Sequence, residues 1–177
     1  MASYNMIFAG FGGQGVLFTG KVVAYAGLID GKEVSWLPSY GPEMRGGTAN
    51  CSVCISDMPV GSPLVTEPDV LIAMNSPSYD KFIDSVKPGG VVIIDSSLVT
   101  PSKRREDVKL YEVPATALSN EEHLEGIANM ILLGKLLEST GFASMETVEQ
   151  SLEKCVPPSK THLLKHNLRA IRLGMEQ

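Results

Sequence analysis

The motif Gly-Phe-Gly-Gly-Gln-Gly at residues 10–15 constrains the fold of this chain more than any other stretch. It lies between an apolar run at residues 5–9 and a helix-like run at residues 16–29, so a strand, a glycine loop and a helix are predicted in that order. Glycines adopt positive φ and allow a ligand or another backbone to come close. The N-terminus of the helix offers unpaired N–H groups and a partial positive charge. The sequence thus predicts a corner that suits an anion.

The glycine spacing also matches a dinucleotide-binding fingerprint. Gly10, Gly12 and Gly15 fit the pattern G-x-G-x-x-G. A Rossmann site needs, in addition, an acidic residue at the end of the second strand to hold the ribose hydroxyls. The predicted second strand, residues 33–37, leads into Pro38, and Glu33 lies at its start, on the wrong edge of the sheet. A free-standing nucleotide- or phosphate-binding Rossmann-like module is therefore the alternative, and dinucleotide binding itself is disfavoured.

A second glycine-rich loop at residues 39–47 follows this second strand. In an α/β sheet it should emerge beside the first loop. Glu43 and Arg45 are the only charged residues of the two loops. Three roles are compatible with this pattern: an ion pair between Glu43 and Arg45, an Arg45 side chain directed at a carboxylate or phosphate, or a loop that only fills an interface. Three further side chains could contribute hydrogen bonds or merely satisfy the backbone: Gln14, Tyr40 and Asn50.

Taken together, the two loops GFGGQG and YGPEMRGG resemble the gamma subunits of the 2-oxoacid:ferredoxin oxidoreductases. The resemblance continues through residues 69–75, 88–95 and 129–134, and it covers the chain from about residue 6 to about residue 139. It assigns a cofactor-binding or interface role to the matching positions, which are Gly10, Gly12, Gly13, Gln14, Gly15, Tyr40, Gly41, Pro42, Glu43, Arg45, Gly46 and Gly47.

The resemblance also implies a reaction and a complex. Enzymes of this family decarboxylate a 2-oxoacid oxidatively with coenzyme A, release an acyl-CoA and CO2, and pass electrons to ferredoxin. The implied partners are alpha and beta subunits, with a possible ferredoxin-like delta subunit, and the implied cofactors of the complex are thiamine diphosphate, Mg²⁺, iron–sulfur clusters and coenzyme A. This chain is expected to bind none of these cofactors alone, to hold no catalytic residue or metal, and to be inactive in isolation. The form YGPEMRGG is more similar to the 2-oxoglutarate and branched-chain members than to the pyruvate members.

Composition limits the other possibilities. The 177 residues are enough for one domain with a full core, so residues 1–177 are predicted to form a single domain. The formal net charge of -5 argues against nucleic acid or an anionic membrane as the main partner. No apolar run reaches the roughly 18 residues of a membrane span, and the first residues lead directly into a strand rather than a signal peptide. These features predict a soluble, cytoplasmic protein.

The cysteines and histidines could suggest a metal or redox site. Cys51 and Cys54 form a C-x-x-C, but in a strand two positions three apart point to opposite faces, so structural burial is expected. Cys155 stands alone, and the chain lacks the four thiolates of an iron–sulfur cluster. His162 and His166 have the spacing of a helical metal pair without an evident third ligand, so no metal site is predicted.

The apolar patterning predicts an α/β fold. It is a single three-layer domain whose mixed sheet has a parallel core, an antiparallel hairpin and C-terminal helices. The hairpin is predicted from residues 49–56 and 59–65, joined by a tight link. The remaining strands are predicted at residues 69–74, 90–95 and 109–114, and the remaining helices at residues 76–86, 124–140, 144–152 and 159–175.

Overall fold

A mixed sheet with the strand order β2-β3-β1-β4-β5-β6 organises the molecule. The computed structural model describes residues 3–39 and 48–177. The strands are β1 (Tyr4–Phe11), β2 (Glu33–Ser39), β3 (Thr48–Ser56), β4 (Val70–Ala73), β5 (Val91–Asp95) and β6 (Lys109–Val113). The helices are α1 (Val16–Ile29), α2 (Ser76–Phe82), α3 (Ala115–Glu121), α4 (Ala128–Thr140), α5 (Met145–Cys155) and α6 (Leu164–Met175), with short 3-10 segments at Ile83–Ser85 and Pro158–Leu163.

The parallel core consists of β1, β4, β5 and β6. All four residues of β4 are buried, and β5 is buried along four of its five residues. Continuous apolar strands of this kind need cover on both faces of the sheet, because neither face can be left to water. The predicted parallel core and the α/β class are therefore confirmed.

The antiparallel part of the sheet differs from the predicted hairpin. β3 pairs with β1 on one side and with β2 on the other, both antiparallel. Because β3 has a strand on each side, it has no free edge with which residues 59–65 could pair, and these residues form no strand. The predicted strand at 59–65 is wrong. The antiparallel neighbour of β3 is instead β2, the strand that precedes β3 in the chain.

Two cores lie on the two faces of the sheet. One contains side chains of α1, α4, α5 and α6, with Phe8 of β1 and Ile93 of β5 fully buried among them. The other core packs α2 and the segments around it against the sheet, with Tyr79 and Ile83 fully buried. This arrangement places helices on both faces, as the three-layer prediction requires.

The helices depart from the prediction at their ends. α4 begins at Ala128 rather than residue 124, and a 3-10 segment precedes α6 where one helix from residue 159 was expected. The short helix α3 was not predicted at all. Ser144 caps α5 by accepting a hydrogen bond from the Thr147 N–H at 3.0 Å. Among the described residues, no helix has both the length and the apolar character needed to cross a bilayer.

Candidate functional site

The glycine corner connects the carboxyl end of β1 to the N-terminus of α1. Gly13 has φ +91° and Gly15, the N-cap of α1, has φ +78°, a region that L side chains rarely adopt. The Gln14 N–H closes the turn by donating to the Phe11 carbonyl at 3.2 Å. A Cβ atom on Gly13 would have nothing within 4 Å, so Gly13 faces open space.

Gln14 fastens this corner to the sheet. Its Oε1 accepts a hydrogen bond from the Phe11 N–H at 2.6 Å, and its Nε2 donates to the Met74 carbonyl at 2.9 Å. Its side chain also fills the space above Gly10, where an added Cβ would lie 2.7 Å from Oε1. Of the two roles left open by the sequence, the structure shows that Gln14 satisfies the backbone.

Asn129, near the start of α4, is a second fastener that the sequence reasoning did not identify as part of the site. Its Nδ2 donates to the Gly15 carbonyl at 3.2 Å and to Thr19 Oγ1 at 3.1 Å, and Thr19 Oγ1 in turn donates to the same carbonyl at 3.0 Å. The sequence does contain a sign of this role, since Asn129 is an amide at the start of an otherwise apolar helical run. A polar side chain buried at such a position needs a hydrogen-bond partner elsewhere in the fold.

A shallow depression of about 220 Å³ lies at the corner, beside the first turn of α1. Its described lining contains no charged or polar side chain: Phe11, Gly12, Gly13, Gly15, Val16, Leu17, Phe18 and Ala49. Phe11 is 40 % exposed although it is a large apolar residue. The helix N-terminus could accept an anion. The apolar rim is better suited to another protein surface.

The second glycine loop is anchored at the same edge of the sheet. β2 ends at Ser39, which pairs with Asn50, and β3 begins at Thr48, which pairs with Phe11 at the end of β1. Both ends of the loop are therefore beside the glycine corner. Several predicted site residues lie outside the described part of the chain, and their roles stay predictions: Tyr40, Gly41, Pro42, Glu43, Arg45, Gly46 and Gly47.

The strand order argues against the Rossmann alternative. In a dinucleotide-binding fold the second strand lies directly beside the first and parallel to it, so that its terminal acidic residue reaches the ribose. Here the antiparallel strand β3 lies between β1 and β2. The glycine spacing thus matches G-x-G-x-x-G locally, but the parallel βαβ unit that a dinucleotide site requires is not formed by β1, α1 and β2.

The cysteines do not form a common site. Cys51 lies in the core on one face of the sheet and Cys54 in the core on the other, as predicted from their spacing. Burial raises the pKa of the Cys51 thiol to about 12, a shift that the Trp36 indole partly opposes. Thiols on opposite faces cannot bind one cluster. Among residues 3–39 and 48–177, no group of three or more His, Cys, Asp and Glu side chains could hold a metal ion.

The two histidines do not share a continuous α-helix. His162 lies in the 3-10 segment and His166 lies in α6, and both are exposed. A spacing of four residues brings two side chains together only within one α-helix, and α6 begins at Leu164, two residues after His162. The two histidines therefore lack the geometry of a helical metal pair.

Comparison with known proteins identifies the family. The family model described as pyruvate ferredoxin/flavodoxin oxidoreductase matches residues 5–177. The 2-oxoglutarate synthase subunit KorC of Methanocaldococcus jannaschii is 40% identical over 171 residues, which cover 95% of this chain and 90% of that protein. Other relatives that match most of this chain are named as subunits of ketoisovalerate or pyruvate/ketoisovalerate oxidoreductases.

Two solved structures have the same fold. The gamma subunit of keto/oxoacid ferredoxin oxidoreductase from Geobacter sulfurreducens matches with a TM-score of 0.83 at 31% identity, over 98% of this chain and 96% of that one. The 2-oxoglutarate:ferredoxin oxidoreductase from Magnetococcus marinus, solved with 2-oxoglutarate, coenzyme A and succinyl-CoA bound, matches with a TM-score of 0.88 at 27% identity, over 99% of this chain and 31% of that one. The chain therefore belongs to the pyruvate ferredoxin/flavodoxin oxidoreductase family, as a subunit of the gamma type.

Proposed function

We propose that this chain is the gamma subunit of a complex that oxidises 2-oxoglutarate with coenzyme A to succinyl-CoA and CO2 and reduces ferredoxin. The observation that carries the proposal is the match to KorC along nearly the full length of both chains. The form of the second loop agrees with it, because YGPEMRGG is more similar to the 2-oxoglutarate and branched-chain members than to the pyruvate members. A branched-chain 2-oxoacid is the second candidate substrate, and the ketoisovalerate names among the relatives favour it over pyruvate alone.

The cofactors of the reaction are proposed to lie in partner subunits. The three cysteines of this chain are buried and do not converge, so an iron–sulfur cluster does not fit them. Thiamine diphosphate, Mg²⁺ and coenzyme A are assigned to the complex on the family's chemistry. In the Magnetococcus enzyme the matching segment is 31% of a longer chain.

The glycine corner and the second loop are proposed as the face that contacts the alpha and beta subunits. The exposed Phe11 and the open space at Gly13 form an apolar surface that another backbone can approach. Both anchors of the second loop lie at this same edge. The charged residues Glu43 and Arg45 would then supply the polar part of the contact.

Reconstitution of the complex tests the proposed function. The alpha, beta and gamma chains, with any delta chain, are expressed together and separately, and the reduction of a viologen dye is measured with 2-oxoglutarate and coenzyme A. We expect dye reduction that requires both compounds in the full complex and none from this chain alone. Parallel assays with 3-methyl-2-oxobutanoate and pyruvate rank the candidate substrates by kcat/KM.

Two outcomes contradict the proposal. A complex that retains full activity without this chain would remove its role as a required subunit. Saturable micromolar binding of a nicotinamide or flavin dinucleotide to the isolated chain would favour the nucleotide-binding alternative instead.

A further inference from the structure

A cavity of about 460 Å³ lies on the helical side of the glycine corner. It is open to solvent on one side and is lined by the start of α1, the start of α4, the link after α5, the 3-10 segment and α6. Its walls are mainly apolar, with Phe18 and Leu163 among the described lining residues. The volume is within the range of about 300 to 1,000 Å³ that is typical of small-molecule sites.

The charge around this cavity is one-sided. Lys21 and Lys160 line it, and no Asp or Glu is among its described lining residues, although the whole chain carries a net charge of -5. Neither lysine forms an ion pair with a described residue. Lys21 Nζ lies 5.9 Å from the centre of the Tyr25 ring, a long cation–π contact and the one described interaction of its ammonium with a side chain that an incoming anion would have to compete with. Burial raises the pKa of the Cys155 thiol, and a hydrogen bond with Ser151 and the charge of Lys21 oppose that rise.

Two helices begin at this cavity. The described residues provide neither α1 nor α4 with a side-chain cap or an acidic residue in the first turn. The N–H groups of both first turns therefore lack side-chain acceptors, and the partial positive charges of the two helices add to those of the lysines. Helix N-termini of this kind bind phosphate groups readily.

Asn167 is the independent observation that indicates a ligand. Its side chain belongs to α6, lines the cavity and is only 5% exposed. Within residues 3–39 and 48–177, no side-chain hydrogen bond holds its amide, and its polar atoms are not sealed inside the protein, so they reach the open space of the cavity. An amide that reaches a cavity without a protein partner is usually satisfied there by water or by a ligand.

We propose that this cavity binds a small organic phosphate, an activity separate from the proposed subunit function. The phosphate would lie between the two helix N-termini, within reach of Lys21 and the Asn167 amide, and the apolar body would contact Phe18 and Leu163. An organic ester is favoured over inorganic phosphate because the cavity is larger than a phosphate group and its walls are mainly apolar.

Calorimetric titration of the full chain with phenyl phosphate tests the site. We expect saturable binding, with much weaker binding of phenol, which lacks the charge, and of inorganic phosphate, which lacks the apolar body. Lys21→Met and Asn167→Leu should each weaken binding by about tenfold or more, since each removes a polar contact to the phosphate. Lys109→Met, an exposed lysine of β6 that is not part of the cavity lining, is the matched control and should bind as the wild type does.

Thermal melting separates a ligand role from a structural role for Asn167. Without ligand, Asn167→Leu should melt at or above the wild-type temperature, because it replaces an unpartnered amide by an apolar group of similar size. Lys160→Met, an exposed substitution that leaves the core intact, provides a second variant expected to bind more weakly. Binding of phenyl phosphate that is unaffected by all three cavity variants, or equal to that of phenol or of inorganic phosphate, would overturn the proposal.

Discussion

Gly15 is held by two separate constraints. Its φ of +78° is accessible mainly to glycine, and an added Cβ would overlap Asn129 Nδ2 and lie 2.9 Å from Asn129 Cγ. That amide donates to the Gly15 carbonyl and to Thr19, so any shift of Asn129 also breaks its hydrogen bonds. One glycine therefore couples the shape of the corner to the position of α4.

Gly15→Ala is expected to lower the free energy of unfolding by about 2 to 4 kcal/mol, from backbone strain together with the displaced amide. Urea unfolding of the purified chain measures the change. Gly31→Ala is the matched control, because Gly31 has φ +70° and nothing within 4 Å of an added Cβ, so it should show only the strain of about 1 kcal/mol. Equal losses in the two variants would mean that the contact with Asn129 carries no energy.

At the scale of elements, the packing of α4 against α6 depends on two glycines. A Cβ on Gly134 would overlap the Ile171 carbonyl oxygen and lie 2.8 Å from its carbon, and one on Gly174 would meet Ile131 in the same way. The two backbones come this close because neither glycine has a side chain. α6, which carries Asn167 and one wall of the cavity, is thereby positioned on the core.

Gly134→Ala should destabilise the chain by about 3 kcal/mol or more, although alanine favours a helix by about 1 kcal/mol over glycine. The cause is overpacking, since the two helices must move apart. Lys165→Ala, an exposed substitution on α6, should stay within about 0.5 kcal/mol of the wild type. Chemical unfolding measures the free energy of unfolding of both variants. A Gly134→Ala variant as stable as the wild type would show that α6 can shift without cost.

At the scale of the whole molecule, the carboxyl edge of the sheet gathers features from distant parts of the chain. The glycine corner, both anchors of the second loop and the exposed Phe11 all lie there. Gly13 faces open space within this chain, so a side chain at that position would project toward any partner. Assembly should therefore be more sensitive than folding to changes at this edge.

Gly13→Val should weaken co-purification with the alpha and beta chains and leave the isolated chain folded, as measured by thermal melting. The matched control is Gly89→Val, because Gly89 also has positive φ, at +80°, and open space, but it precedes β5 at the opposite edge. Both variants carry similar backbone strain, so a difference in assembly reports the location of the interface. Equal assembly of the two variants would show that the glycine corner is not the contact face.

Arg45→Ala tests the proposal that the second loop supplies a charged part of this contact face. If Arg45 makes a buried charge-assisted contact in the complex, its loss should weaken assembly by about 2 to 5 kcal/mol, because the partner group is left unpaired. Analytical ultracentrifugation of the three chains at several concentrations measures this loss. Lys165→Ala, at an exposed position of α6, is the charge control. An Arg45→Ala effect no larger than that of the control would place Arg45 at the rim.

Local periodicity and paired motifs are enough to predict the α/β class, the parallel core, the glycine corner, the opposite faces of Cys51 and Cys54, and the family. Three relations follow from long-range packing and are visible in the fold alone: β3 lies between β1 and β2, Asn129 hydrogen-bonds to Gly15, and Asn167 borders a basic cavity. Each of these relations joins residues that are distant in the chain. Apolar runs indicate where strands form, but hydrogen-bonding capacity at sheet edges and close backbone packing determine which elements become neighbours.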